Sequence, residues 1–128
     1  MKYLLDTCTF IWLATTVDRL SDPARQIIEG EGTTIYLSAV SALEISVKHA
    51  HGRLVLPRPP SVLIPELRSH YDIEPLQLNE LSALRVATLQ SLHRDPFDRL
   101  LVCQAIEHGM TIITPDPGIG QYPVRVVW

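Results

Sequence analysis

The sequence predicts an α/β fold: a mostly parallel sheet covered by helices on both faces. Three observations carry that expectation. Short apolar segments alternate with helical ones along the chain. Those segments are apolar at successive positions, as in strands buried on both faces. And 128 residues that are 46% hydrophobic and 20% charged can bury a core. The length is that of one ordinary domain, so residues 1–128 are expected to form a single unit.

The elements follow in order. Lys2 to Leu5 is a short apolar strand that stops at Asp6. Thr9 to Ala14 predicts a short helix. Ser21-Asp22-Pro23 supplies an N-cap and a proline for the next helix, and Gly30 a stop. Thr34 to Leu37 is β-branched and aromatic, hence a second strand. Ser38 or Ser41 caps a helix that runs to about His51 and ends at Gly52. Pro57-Arg58-Pro59-Pro60 is a joint, and Ser61 to Tyr71 fits a helix. Ile73 to Leu76 is a strand weakened by Pro75, which cannot donate to a ladder. Asn79 caps a helix to about Leu92, with Leu81, Leu84 and Leu92 near helical spacing. Pro96 opens a helix that Gly109 closes. Thr111 to Thr114 and Val124 to Val127 are the last strands.

Composition limits the possible roles. Charges and prolines break every apolar run well short of a membrane span. The first residues reach Asp6 without the apolar stretch of a signal peptide, so a cytoplasmic location is expected. Cys8 and Cys103 are too few and too far apart for a zinc site or a disulfide scaffold, and two reduced thiols are expected. Asp plus Glu number 14 against 11 Lys plus Arg, a formal charge of −3. Taken as a sum, this argues against a nucleic-acid partner. Where the acids sit matters more than their sum.

In open parallel sheets, ligands lie beyond the carboxyl ends of the strands. Asp6 ends the first strand, and Asp116 follows the strand that ends at Thr114. Glu44 lies within the first two turns of the helix after the second strand. Asp95 and Asp98 open the helix that starts near Pro96. If that helix packs on the same sheet, these carboxylates converge on one cleft. Converging carboxylates repel, and desolvating them is costly. A cation offsets both, and an all-oxygen ligand set suits Mg²⁺ or Mn²⁺. Such an ion activates water and stabilises displacement at phosphorus. Each acid also has a plainer reading. Asp95 and Asp98 favour a helix N-terminus, with Asp95 as the cap. Asp116 lies between prolines and suits a turn. Glu44 has apolar neighbours, and Asp6 at the end of an apolar strand is poorly explained by packing.

Four stretches together resemble the PIN-domain ribonucleases, of the kind found as VapC toxins in bacterial toxin–antitoxin pairs. They are Tyr3-Leu4-Leu5-Asp6-Thr7; Ser41-Ala42-Leu43-Glu44-Ile45-Ser46-Val47-Lys48 with Gly52-Arg53-Leu54; His93 to Leu101, which contains Asp95-Pro96-Phe97-Asp98-Arg99; and Thr111 to Asp116. The resemblance implies a three-layer α/β/α fold with about five strands. It implies cleavage of RNA with one or two Mg²⁺ or Mn²⁺ ions. Asp6, Glu44, Asp98 and Asp116 match the family's four acids, as metal-binding and catalytic residues. Asp95 matches an auxiliary acid, and Thr7 and Thr114 match hydroxyl positions beside the metal. Cys8 stands where close relatives often carry His. The resemblance also implies a cognate antitoxin and a homodimer.

Other features are less specific. Arg99 suits either a phosphate or a nearby acid. His49 and His51 are spaced two apart, wrong for a helical metal pair. His93 adjoins the Asp95-Pro96-Phe97-Asp98 stretch and could touch substrate, with a loop histidine the plainer reading. Trp12 and Trp128 are too far apart in sequence to suggest a stacking platform. A dehalogenase-type phosphatase needs an acid where Cys8 stands. A receiver domain needs a Lys after its last strand, and the only lysines are Lys2 and Lys48. The alternative from another class is a PIN-like scaffold that binds partners without catalysis.

Overall fold

The computed structural model describes residues 1–128. Its strands are β1 (Lys2–Leu5), β2 (Thr34–Ser38), β3 (Ile73–Leu76), β4 (Thr111–Ile113) and β5 (Val126–Val127). They form one sheet in the order β3-β2-β1-β4-β5, and all four pairings are parallel. Its helices are α1 (Thr7–Thr15), α2 (Asp22–Glu29), α3 (Ala39–Ala50), α4 (Pro60–Tyr71), α5 (Glu80–Arg85) and α6 (Pro96–His108). No helix is long and apolar enough to cross a membrane.

Successive strand residues enter different cores, which is why the strands are apolar throughout. Leu5 and Ile113 pack with Phe10 and Leu13 of α1, Ala24 and Ile28 of α2, and Ile64 of α4. Leu4 and Ile112 pack with Leu101, Val102 and Ala105 of α6. The sheet is therefore the middle of three layers. Helix α3 contributes to both cores, through Ile45 to the first and Val40 to the second. Pro75 is tolerated because β3 is an edge strand.

Most boundaries agree with the sequence reading, and the exceptions have local causes. Helix α1 starts earlier than expected, directly after Asp6, because the Asp6 carboxylate caps it. Ser38, not Ser41, caps α3 through the amide of Val40 at 3.0 Å. The helix expected from Asn79 to Leu92 stops at Arg85. Thr88 takes the Arg85 carbonyl with both its amide and its hydroxyl, which closes a turn. The last strand narrows to Val126–Val127.

Helix α6 ends on Gly109, whose φ is +66°. A β-carbon there would meet nothing within 4 Å, so a substitution is opposed by the backbone alone. Gly109→Ala is expected to cost about 1–2 kcal/mol, the usual penalty of the left-handed region. Urea unfolding measures it directly as a lower midpoint with an unchanged slope.

Candidate active site

The strand order places the site. Chain connections leave β1 toward β2 on one side, while β4 and β5 lie on the other. The sheet's switch point is therefore between β1 and β4, and a crevice opens beyond their carboxyl ends. Leu5 is in register with Ile113, and the Asp6 amide extends the ladder to the Ile113 carbonyl at 3.2 Å. Asp6 thus comes beside Thr114 without any long loop.

Asp6 is 3% exposed, and both of its oxygens are used. Oδ1 accepts from the Thr9 amide at 2.8 Å and caps α1. Oδ2 accepts from the Thr114 hydroxyl. That hydroxyl in turn accepts from the Asp116 amide at 3.0 Å, so Thr114 ties the first acid to the last. The cap gives Asp6 a local structural role that its place after an apolar strand did not suggest.

Glu44 lies on the inward stripe of α3 with Ser41 and Ile45, at helical spacing. It is 4% exposed. Its Oε2 pairs with the Nζ of Lys48, one turn along the helix. Its Oε1 is buried and has no partner. The Thr7 hydroxyl donates to the Ser41 hydroxyl at 3.0 Å, linking α1 to α3 beneath the cleft.

Asp116 follows β4, while helix α6 and its cap carry Asp98 and Asp95. Asp95 is its N-cap and accepts from the amides of Phe97 and Asp98 at 2.9 and 3.5 Å. The capping role is real, yet Asp95 also lines the cleft. Asp98 stands one turn in, with Oδ2 2.9 Å from His93 Nε2. The same imidazole nitrogen is 3.5 Å from Asp116 Oδ2. His93 is in a connecting segment, as expected, but its place inside the carboxylate cluster carried no spacing signal. Lys48 was also missed.

Arg99 makes no ion pair with a nearby acid. Its guanidinium donates to the carbonyls of Val86 and Leu89 at 2.9 and 3.1 Å, pinning the segment after α5. Trp12 and Trp128 do meet, at 5.8 Å between ring centroids, and the Arg19 guanidinium lies 4.5 Å from the Trp12 centroid. Trp12 lines the cleft, so an aromatic group stands where sequence separation argued against one.

The cleft has a volume of about 440 Å³ and holds Asp6, Glu44, Asp95, Asp98 and Asp116 against the single ammonium of Lys48. A larger hollow of about 640 Å³ lies at the amino ends of the strands, lined by residues such as Gly32, Thr33 and Asp72, and contains none of these acids. Crowded charge shows in the protonation of the cluster. Burial raises the Asp6 pKa above its ordinary value, and the charge of Asp116 adds to this. Burial pushes Asp98 from 3.8 up to about 6, opposed by its His93 hydrogen bond and reinforced by Asp95, Asp6 and Glu44.

A divalent cation reverses that balance. An acid with a raised folded pKa holds its proton more tightly when folded. Its stabilising contribution is full below the unfolded value and is lost as pH rises through the folded one. For Asp98 that window runs from 3.8 to about 6. A cation favours the ionised form, so its benefit grows across the same window. Mn²⁺ is expected to raise the melting temperature more at about pH 7.5 than at about pH 4.5. Scanning fluorimetry with and without Mn²⁺ measures this, and equal gains at both pH values would contradict it.

The molecule is thus a three-layer α/β protein with a crevice of converging carboxylates at its switch point, a donor set able to take a cation. The chain belongs to the PIN-domain family, whose pattern matches residues 3–124. It is similar to Ribonuclease VapC22 of Mycobacterium tuberculosis, with 31% identity over 113 residues, covering 88% of this chain and 85% of that protein. Its fold resembles that in the crystal structure of VapBC2 from Rickettsia felis bound to a promoter DNA fragment, at TM-score 0.76 and 15% identity, covering 100% and 99% of the two chains. It also resembles the DNA-bound VapBC structure from Salmonella typhimurium, at TM-score 0.68 and 14% identity, covering 99% and 97%.

Proposed function

We propose that this protein is a divalent-metal-dependent endoribonuclease and the toxin of a toxin–antitoxin pair. The observation that carries the reading is the unpartnered Oε1 of Glu44, buried in a cleft with four other carboxylates. A buried carboxylate oxygen without a partner costs stability, and Lys48 meets only the other oxygen, so a bound cation would offset the cost. The donor set is dominated by carboxylate oxygens, which suits Mg²⁺ or Mn²⁺. Membership of the PIN-domain family and similarity to a ribonuclease support RNA as the substrate.

Asp6, Asp98 and Asp116 would hold one ion, and Glu44 would assist a second or orient water. When bound, such an ion supplies Lewis acidity at the phosphoryl oxygen and lowers the pKa of water. The rest falls to the chain. Thr114 keeps Asp6 turned toward the crevice and Asp116 beside it. Asp95 fixes the start of α6 and so the position of Asp98. Lys48 is half-exposed beside Glu44, placed to meet a phosphate on entry. Its hydrogen bond to Glu44 raises its pKa and keeps it charged.

The relatives solved as VapBC and toxin–antitoxin complexes support a cognate antitoxin as partner. A homodimer and a cytoplasmic location complete the proposal. End-labelled RNA incubated with Mg²⁺, Mn²⁺ or a chelator tests the activity. Cleavage is expected only with a divalent ion. Cleavage that persists in chelator would sink the metal-dependent reading, and no cleavage under any condition would favour a binding scaffold. Expression without a partner is expected to arrest growth.

A further inference from the structure

The acids read from the sequence make an all-oxygen site, and the structure brings a nitrogen into it. His93 Nε2 is 2.9 Å from Asp98 Oδ2 and 3.5 Å from Asp116 Oδ2. One ligand atom from each of the three side chains fits within a 4.8 Å limit. Two ligand atoms at right angles, each about 2.1 Å from an ion, stand roughly 3.0 Å apart; at the tetrahedral angle the figure is roughly 3.4 Å. The observed spacings fall near these values.

The residue is also held through its backbone and through the far edge of its ring. Its backbone amide donates to the hydroxyl of the buried Tyr122 at 3.0 Å. Its other edge packs on Gly118, where a β-carbon would come within 2.6 Å of Nδ1 and 2.9 Å of Cε1. Gly118 has φ −63° and ψ −39°, ordinary helical values that any residue adopts. The backbone therefore does not require glycine there; the imidazole, together with Asp116 Oδ1 at 3.1 Å from the same β-carbon, leaves little room for a side chain. The unpartnered Oε1 of Glu44, in the cleft that Asp98 and Asp116 also line, independently points to a bound cation.

We propose that His93 is a nitrogen ligand of the cation site, beside Asp98 and Asp116, and that it shifts the site's preference from Mg²⁺ toward Mn²⁺ and softer divalent ions. The proposal rests on the cation-site reading above. Mg²⁺ keeps to oxygen ligands and water, whereas Mn²⁺, Co²⁺ and Zn²⁺ accept imidazole. Without an ion, the 2.9 Å contact is a hydrogen bond that keeps the ring turned to Asp98.

The test is pulsed electron paramagnetic resonance on the purified protein loaded with Mn²⁺. A ¹⁴N modulation is expected in the wild type, and it should change to that of ¹⁵N when histidine is isotopically labelled. It should vanish in His93→Asn. Calorimetry on His93→Asn should show Mn²⁺ affinity lower by at least about tenfold, with Mg²⁺ affinity changed far less. Mn²⁺ that binds through Asp6 with no histidine modulation in the wild type overturns the proposal and leaves His93 a hydrogen-bond partner. That result needs no variant to fold. No Mn²⁺ binding at all overturns the cation site itself, and the two failures are distinct.

Discussion

Asp6→Asn is expected to lower RNA cleavage by about 10²–10³-fold while leaving the chain folded. The magnitude follows from two figures. A catalytic metal supplies several kcal/mol of transition-state stabilisation, and about 1.4 kcal/mol is a factor of ten in rate. The fold survives because the amide keeps what the structure uses locally. An Asn carbonyl can still accept from the Thr9 amide and cap α1, as Asp6 Oδ1 does at 2.8 Å. Asn is as good a cap as Asp. On the other side, Thr114 can turn its hydroxyl and accept from the new amide. The variant also loses a buried charge that faces Asp116. Without metal it should therefore melt at the wild-type temperature or above it. With Mn²⁺ the gain in melting temperature should shrink. Both readings are needed, since a misfolded variant also loses activity. Wild-type cleavage by a folded Asp6→Asn protein would remove Asp6 from the mechanism.

The same residue shows how much of the site was legible. In a parallel sheet the residue after a strand lies on the ligand edge, so Asp6 and Asp116 could be placed once the strands were recognised. Glu44 and Asp98 were legible because each sits within the first turns of a helix after a recognisable cap. What the sequence could not weigh was which acid lacked partners. Asp6 looked hardest to explain by packing, yet both its oxygens are satisfied. Glu44 looked less informative, yet it carries the orphaned atom. That distinction depends on contacts made across the fold, such as Thr114 to Asp6.

Other misses have the same origin. His93 owes its place to Tyr122 and Gly118, more than twenty residues away, and a lone loop histidine has no period to betray it. Trp12 and Trp128 meet because the chain's last residues pack beside α1. Arg99 was read for its charge, but its guanidinium found carbonyls that the early end of α5 had freed. Local pattern placed the helices and strands well. Long-range hydrogen bonding decided what the polar side chains do.

The second large effect concerns a residue that touches no substrate. Gln104 on α6 is fully buried. Its Oε1 accepts from the Ser38 hydroxyl at 2.6 Å, and its Nε2 donates to the Gln77 carbonyl at 3.3 Å. Ser38 is the N-cap of α3. This one side chain therefore ties the helix of Glu44 to the helix of Asp98 and to the chain beyond β3. Gln104→Leu keeps much of the volume but strands the fully buried Ser38 hydroxyl in the interior, while the Gln77 carbonyl belongs to an exposed residue that water can reach. The Ser38 hydroxyl loses its acceptor and the Gln77 carbonyl its donor. A buried group left unsatisfied costs about 1–3 kcal/mol, so a loss of about 1–3 kcal/mol is expected from Ser38. Set against a total stability of about 5–15 kcal/mol, that is a large share. Gln104→Glu separates the causes. It keeps the acceptor for Ser38 but loses the donor and buries a charge, so it should be at least as damaging as Leu. Urea unfolding of both variants measures the loss. A Leu variant as stable as the wild type would show that the polar link is dispensable. At a temperature where the Leu variant remains folded, weaker Mn²⁺ binding would show that the link also sets the distance between the two acid-bearing helices.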